Sequence, residues 1–243
     1  MTVTFVGSGD AFGSGGRLQA CIVVDDGRQR LLLDCGASSL IGMKRLGIDP
    51  NTVDGVVLSH LHGDHFGGIP FLVLDGQFSR RETDLRVIGP EGTRERITAA
   101  MEVLYPGSSG VERRFSLVIE EVTGREVHNL GLATVTAFPA DHASGAPAHH
   151  IRLEINDRVI AYSGDTAWTP ALVDTARGAD LFICEAYFRD RRVPFHLSYG
   201  ELREHLGELD CRRIILTHMT TEMIEAEGVE FERAFDGMTF ELA

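Results

Sequence analysis

The chain has 243 residues, enough for one large domain with its own core, and 43% hydrophobic with 24% charged residues excludes a disordered or fibrous chain. Its 36 acidic against 23 basic residues leave a formal charge of −13, which argues against a broad nucleic-acid footprint, because phosphate neutralisation needs a basic face. A small anionic substrate stays open, since a metal or a local arginine cluster reverses the sign inside a site.

Short aliphatic and β-branched runs bounded by Gly and Asp predict strands over 2–7, 20–25 and 30–35. Leu40, Ile41, Met43 and Leu46 fall at helical spacing and Gly47 closes them, which predicts a helix over 38–47. A buried-type strand over 53–60 runs into a histidine cluster, and a further strand follows at 85–90. The segment 91–107 reads as a helix stopped by Pro106 and Gly107. Strands are predicted at 115–122 and 132–140, and 150–157 with 158–165 as a hairpin. A helix over 169–178, a strand over 181–186, a helix over 198–209 and a strand over 212–218 complete the pattern. Strands with interspersed helices in both halves, and no linker between them, predict an α/β fold of two sheets between outer helix layers, residues 1–243 forming a single domain.

No stretch approaches the ~20 apolar residues of a membrane span, and the N-terminus has no signal-peptide pattern. Cys21, Cys35, Cys184 and Cys211 form no C-x-x-C pair. They read as reduced, structural thiols in a cytoplasmic protein without membrane contact.

The decisive segment is His60-Leu61-His62-Gly63-Asp64-His65, placed directly after an apolar strand. Three imidazoles and a carboxylate in six residues are costly to explain as packing, because each buried polar group needs a partner. They suit Zn²⁺, with Mn²⁺ or Fe as further options.

This segment resembles the H-x-H-x-D-H signature of the metallo-β-lactamase superfamily, whose fold is an αββα sandwich of two mixed sheets flanked by helices. The resemblance extends downstream, in order, to His142 in AFPADHASG, Asp165 in AYSGDT and His218 in IILTH. It implies that His60, His62 and His142 hold one divalent metal ion, that Asp64, His65 and His218 hold a second, and that Asp165 bridges the two. The implied activity is hydrolysis by a metal-bridging hydroxide.

Within the superfamily, FVGSG, LLLDCG, LSHLHGDHFGGIP, VIGPEG and CEAYFRDRRVPFHLSYGEL look closest to the ribonuclease Z-like branch. That likeness implies a phosphodiesterase, with Asp64, His196 and Glu185 as catalytic residues. His196 would steady or protonate the leaving oxygen while Glu185 orients it. The chain departs from bacterial ribonuclease Z in lacking a basic, Gly/Pro-rich arm between Pro90 and His142. A small anionic or ester-type substrate is therefore expected, large folded RNA is disfavoured, and a homodimer would follow the branch. An ester, lactone or sulfate hydrolase on the same scaffold is the enzymatic alternative. A di-iron redox or metal-binding protein is the alternative of another class, but such members carry glutamate where this chain has His62.

Among lesser expectations, Ser8, Phe12 and Ser14 would wall the pocket, and Phe66 would join the core. His149 and His150 would make hydrogen bonds at the surface or in the core, His128 and His205 would face solvent, and the arginines of 189–192 would either contact phosphate near the site or form a solvated rim.

Overall fold

A computed structural model describes residues 1–242 of the chain. The first sheet contains β1 (Thr2–Gly7), β2 (Cys21–Asp25), β3 (Arg30–Leu33), β4 (Gly55–Val57), β5 (Leu85–Pro90), β6 (Leu117–Val122) and β14 (Thr239–Glu241). The second contains β7 (Val127–Leu130), β8 (Ala133–Pro139), β9 (His149–Ile155), β10 (Arg158–Tyr162), β11 (Leu181–Glu185), β12 (Ile214–Thr217) and β13 (Glu232–Arg233). Spatial order is β14-β1-β2-β3-β4-β5-β6 in one and β13-β12-β11-β10-β9-β8-β7 in the other. Both sheets are mixed. The β3–β4–β5–β6 and β10–β11–β12–β13 ladders are parallel and the remaining pairings antiparallel, including the expected β9–β10 hairpin.

Period-two alternation explains how the layers separate. Ile22 and Val24 of β2 and Leu31 and Leu33 of β3 point between the sheets, meeting Val135, Leu153, Ile160 and Ile183 of the second. Their neighbours Cys21, Val23 and Leu32 point the other way, under the outer helices. Those helices are α1 (Ser39–Arg45), α2 (Gly63–Phe66), α3 (Ile69–Phe78) and α4 (Thr93–Leu104) on the first sheet's side. The second sheet's outer core, with Phe182, Cys184 and Leu216, is covered by α5 (Ala171–Ala176), α6 (Tyr199–Glu204) and α7 (Thr221–Glu225). The expected αββα sandwich is therefore present. No helix among the described residues is long and apolar enough to cross a membrane.

Three local differences from expectation have physical causes. The strand predicted over 53–60 pairs only through Val57; beyond it the Ser59 N–H leaves the ladder and donates to the Asp34 carboxylate at 2.7 Å. Helix α3 carries no helical periodicity in its apolar run, yet it forms with Pro70 in its first turn, where a missing N–H costs nothing. The last predicted helix stops at Glu204 and continues as a 3₁₀ turn over Leu206–Glu208. Phe66 is buried in the core as expected.

Gly68 shows why the chain after the histidine cluster must be bare. A Cβ there would lie 2.3 Å from the Gly36 carbonyl oxygen, so the cluster's loop closes directly on the backbone after β3.

His149 and His150 are both buried. The His150 ring bridges the Ser163 carbonyl at 2.7 Å and the Thr169 hydroxyl at 2.9 Å, a core hydrogen-bonding role. Burial pushes its pKa from 6.5 down to about 4. Between those values the unfolded chain binds the extra proton, so the stability contribution is full above about pH 6.5 and is lost as pH falls towards 4, by up to ~3 kcal/mol. Replacing His150 with Asn keeps a donor for Ser163 and removes the titration. The urea midpoint of the metal-free variant should then fall less between pH 7.5 and 4.5 than the wild type's. Equal falls would show that His150 is not the proton-linked group.

Candidate metal centre

Seven side chains converge on one cluster from the strand ends of both sheets, five of them lining a cavity and His60 and His65 fully buried beneath it. His60 and His62 leave the end of β4, Asp64 and His65 sit on α2, and His142, Asp165 and His218 follow β8, β10 and β12. Strand ends are where open α/β sheets present ligands. Local backbone strain marks the place: Asp34 and His218 are non-glycine residues with φ of 57° and 55°. Gly164, before Asp165, has φ of 56°, and a Cβ there would come within 2.8 Å of the Ser59 side chain.

The ligand atoms of these seven fall into two groups, His60/His62/His142 and Asp64/His65/Asp165/His218, each lying within 4.8 Å of one another, and a third group, Asp165/Glu185/His196/His218, overlaps the second. Asp165 joins them. Its Oδ1 is 3.3 Å from His65 Nε2, and its Oδ2 is 3.4 Å from His218 Nε2 and 3.8 Å from both His60 Nε2 and His142 Nε2. The site thus brings together every residue the sequence nominated for metal binding.

The outward ring nitrogens explain why the inward ones suit metal ions. His60 Nδ1 donates to the Ser59 hydroxyl at 3.0 Å, His65 Nδ1 to Asp34 at 2.7 Å and His142 Nδ1 to the Phe195 carbonyl at 2.9 Å. Each bond places the proton outside and leaves Nε2 with its lone pair facing the cluster. His142 Nε2 then lies 3.0 Å, and His60 Nε2 3.2 Å, from His62 Nδ1. Asp165 Oδ1 is buried with no hydrogen-bond partner. Crowded lone pairs and an orphaned carboxylate oxygen fit two divalent cations.

The electrostatics without metal agree. Burial, then the neighbouring His65 ring, holds His60 well below the usual imidazole range. Burial also opposes charge on His218, yet Asp165, Asp64 and Glu185 raise its pKa to about 10. His65 is likewise raised against burial, by Asp165, Asp64 and Asp34. Burial opposes ionisation of Asp165, but His218 and His65 hold it well below the carboxylate range. The protein therefore uses protonated histidines to neutralise carboxylates that are placed for cations.

Glu185, at the end of β11, is fully buried. Its Oε1 accepts from His196 Nδ1 at 2.5 Å, and its Oε2 accepts from the backbone N–H of Thr166 at 2.9 Å and Leu197 at 3.2 Å. His196 lines the cavity, and its ring centroid is 5.0 Å from that of His142. Burial lowers its pKa, but the hydrogen bond to Glu185 together with the charges of Glu185 and Asp165 outweighs this and raises it. The expected pairing of His196 with Glu185 is present.

Sequence reasoning assigned no role to Asp34, although an aspartate closing an apolar strand was the available signal. Fully buried, it accepts from Ser59 N–H and hydroxyl, His65 Nδ1 and Tyr162 OH, the last at 2.8 Å. Those four donors satisfy a carboxylate that would otherwise be expensive to bury, and they orient His65. Tyr187 was missed as well. It lines the cavity and stacks on His196 with ring centroids 4.5 Å apart.

Some expectations need correction. Only Phe12 of the three proposed wall residues reaches the cavity; Ser8 bonds to Asp236 and Ser14 to Asp10. His128 does not face solvent freely, because its ring is largely buried and bonds Glu120 at 2.7 Å. His205 is half-buried and stacks on Trp168 at 4.0 Å. None of the arginines 189–192 lines the cavity and all are exposed, so the rim reading holds and the phosphate-contact reading does not; Arg191 lies over the Phe188 ring.

The cavity over the cluster has a volume of about 340 Å³. Another of about 370 Å³, between α4 and residues 145–147, is lined by Glu91, Glu95 and Arg96 and holds none of the ligand-type histidines.

The family profile of the anti-Pycsar protein Apyc1 matches residues 1–237 of this sequence. The ribonuclease Z of Methanothermobacter thermautotrophicus is 27% identical, with 94% of this chain and 90% of that protein covered. Among solved structures, the short form of human tRNase Z superposes with a TM-score of 0.81 at 24% identity, covering all of both chains. The metallo-β-lactamase fold protein YhfI of Bacillus subtilis does so with a TM-score of 0.80 at 20% identity, covering 98% of each. The expectation that large folded RNA is disfavoured finds no support in these likenesses, which include proteins named for ribonuclease activity.

Proposed function

Because this chain belongs to the family of the anti-Pycsar protein Apyc1, in the ribonuclease Z-like branch of the metallo-β-lactamase fold, we propose that it is a metal-dependent phosphodiesterase acting on phosphodiesters of about nucleotide size. One observation carries this: the Glu185–His196 pair opens into the same cavity as two clusters of metal-ligand atoms.

In this reading His60, His62 and His142 would hold one ion and Asp64, His65 and His218 the other, with Asp165 placed between the two groups. The nitrogen-rich donor set suits zinc. Two bound ions supply the positive charge that acidifies water and polarises a phosphoryl oxygen. The chain's own groups do the rest. Asp64, whose Oδ2 lies 3.2 Å from His65 Nε2 and 3.3 Å from His218 Nε2, lines the cavity and would orient an attacking water by accepting its hydrogen bond. His196, with Nδ1 bound to Glu185, has its other ring nitrogen free to protonate the leaving oxygen.

A cavity of about 340 Å³ lies at the small end of the range for small-molecule sites, roughly 300–1,000 Å³. A phosphate, a ribose and a base match that scale. The most compact phosphodiester containing a nucleoside is one whose phosphate closes on its own ribose. We therefore read residues 1–243 as one catalytic domain for small substrates, and its four free cysteines favour a reducing, cytoplasmic setting. The exposed Phe78, Val103 and Leu104 at the ends of α3 and α4 give the expected homodimer an apolar face. Light scattering at 26.6 kDa, rather than twice that, would remove the dimer.

The metal-loaded protein should be assayed with 3′,5′-cyclic mononucleotides, dinucleotides, a tRNA precursor, a lactone and an aryl sulfate. We expect kcat/KM for a small nucleotide phosphodiester to exceed that for lactone and sulfate by at least ~10²-fold, or ~2.7 kcal/mol. A lactone or sulfate turned over faster would replace the phosphodiesterase reading. A precursor cleaved faster than every small phosphodiester would overturn the size assignment.

A further inference from the structure

Phe12 is 83% exposed, and it alone among the exposed large hydrophobic side chains of the described residues lines the cavity over the ligand cluster. The loop that carries it is built rather than slack. Asp10 is 1% exposed, and its Oδ1 accepts from the backbone N–H of Phe12 at 3.2 Å and Ser14 at 2.9 Å. Its Oδ2 accepts the Ser14 hydroxyl at 2.7 Å. Backbone bonds Gly13 N–H to Asp10 and Gly9 N–H to Leu18 close both ends of the loop. A polar residue at position 12 would leave these bonds intact, so the fold does not require an aromatic ring there.

We propose that Phe12 is a specificity-determining residue: its ring stacks on the base of a nucleotide whose phosphate lies over the His/Asp cluster. This rests on the phosphodiesterase reading and names the part of the substrate held outside the cluster. An exposed aromatic face beside a phosphate site offers every base a π-surface, at about 1–3 kcal/mol per stacked base. Tyr187 cannot supply the same face as freely, because its ring is already stacked on His196. A phosphate on the cluster and a base on Phe12 would hold a nucleotide at two points within the one cavity.

The test measures binding to metal-loaded wild type and to Phe12→Ala, Phe12→Leu and Phe12→Trp. Isothermal titration with AMP, UMP and ribose 5-phosphate compares ligands that share a sugar phosphate and differ in the base. Wild type should bind at least one nucleotide ten-fold or more tighter than ribose 5-phosphate. Alanine and leucine should remove that advantage while leaving ribose 5-phosphate affinity unchanged, and tryptophan should restore it. In turnover of a nucleotide phosphodiester the alanine variant should raise KM about ten-fold with kcat nearly constant, the mark of lost uniform binding.

Equal wild-type affinity for nucleotides and ribose 5-phosphate would overturn the stacking, as would a base advantage that survives in Phe12→Ala. Absence of binding by all three ligands would overturn it too. The phosphodiesterase reading fails on a different result: no turnover of any phosphodiester by metal-loaded wild type, whatever the affinities.

Discussion

Replacing Asp165 with Asn should reduce bound metal from two ions per chain to one or fewer and lower phosphodiester turnover by at least ~10³-fold, about 4 kcal/mol in the barrier. Asp165 is 3% exposed, and its two oxygens touch histidines from both ligand groups. The substitution is isosteric, so the sheets on either side need not move. What changes is charge and lone pairs. The buried oxygen without a partner, or its neighbour, becomes an amide NH₂ that cannot ligate and that repels a cation. His65 and His218 also lose the carboxylate that most strongly favours their charged forms, leaving less negative charge to offset two divalent ions. Elemental analysis by mass spectrometry, alongside the rate, checks both halves. A variant that retained two ions and turned over within ten-fold of wild type would remove Asp165 from its shared position.

The proposed metal ligands were legible in the sequence because they follow apolar strands, and a strand's end is a local pattern. His60 to His65 can be recognised from six consecutive letters, and the grouping of His142, Asp165 and His218 with them is what the resemblance to the metallo-β-lactamase superfamily implies. The groups that orient those ligands leave no comparable trace. Asp34 meets His65 across 31 positions and Tyr162 across 128, contacts that exist only once the two sheets are packed. The Phe195 carbonyl that holds His142 is a backbone atom, invisible to any reading of side-chain types. Phe195 adopts φ of 67°, so tertiary contacts impose this geometry against the residue's own preference. The fold shows the same division. Alternating strands were placed correctly, whereas α3, apolar on almost every side, offered no period to read.

Replacing His196 with Ala should lower turnover of a nucleotide phosphodiester by about 10²–10⁴-fold, the usual contribution of a positioned general acid, while both metal ions stay bound. His196 belongs to neither ligand group of the seven nominated residues; it shares a third only with Asp165, Glu185 and His218, and its Nδ1 is committed to Glu185. The defect should depend on the leaving group. A ribose hydroxyl departs as a strongly basic alkoxide and needs the proton, whereas p-nitrophenol departs readily without it. Turnover of bis(p-nitrophenyl) phosphate should therefore fall far less than turnover of the nucleotide. Equal falls would mean that His196 acts by position or charge rather than by proton transfer. The partner supplies a second, independent sign. The Glu185 hydrogen bond raises the His196 pKa despite burial, so the acid form persists to higher pH than for an ordinary imidazole. In Glu185→Gln the amide can still accept from His196 Nδ1, but its NH₂ must then face the Thr166 and Leu197 N–H groups. Leaving those donors unpaired should cost about 1–3 kcal/mol of stability each. With the carboxylate charge gone, the alkaline limb of the pH–rate profile should move to lower pH, because a weaker base loses its proton earlier. A limb that stayed in place while stability fell would make Glu185 a structural group and leave His196 to titrate unaided.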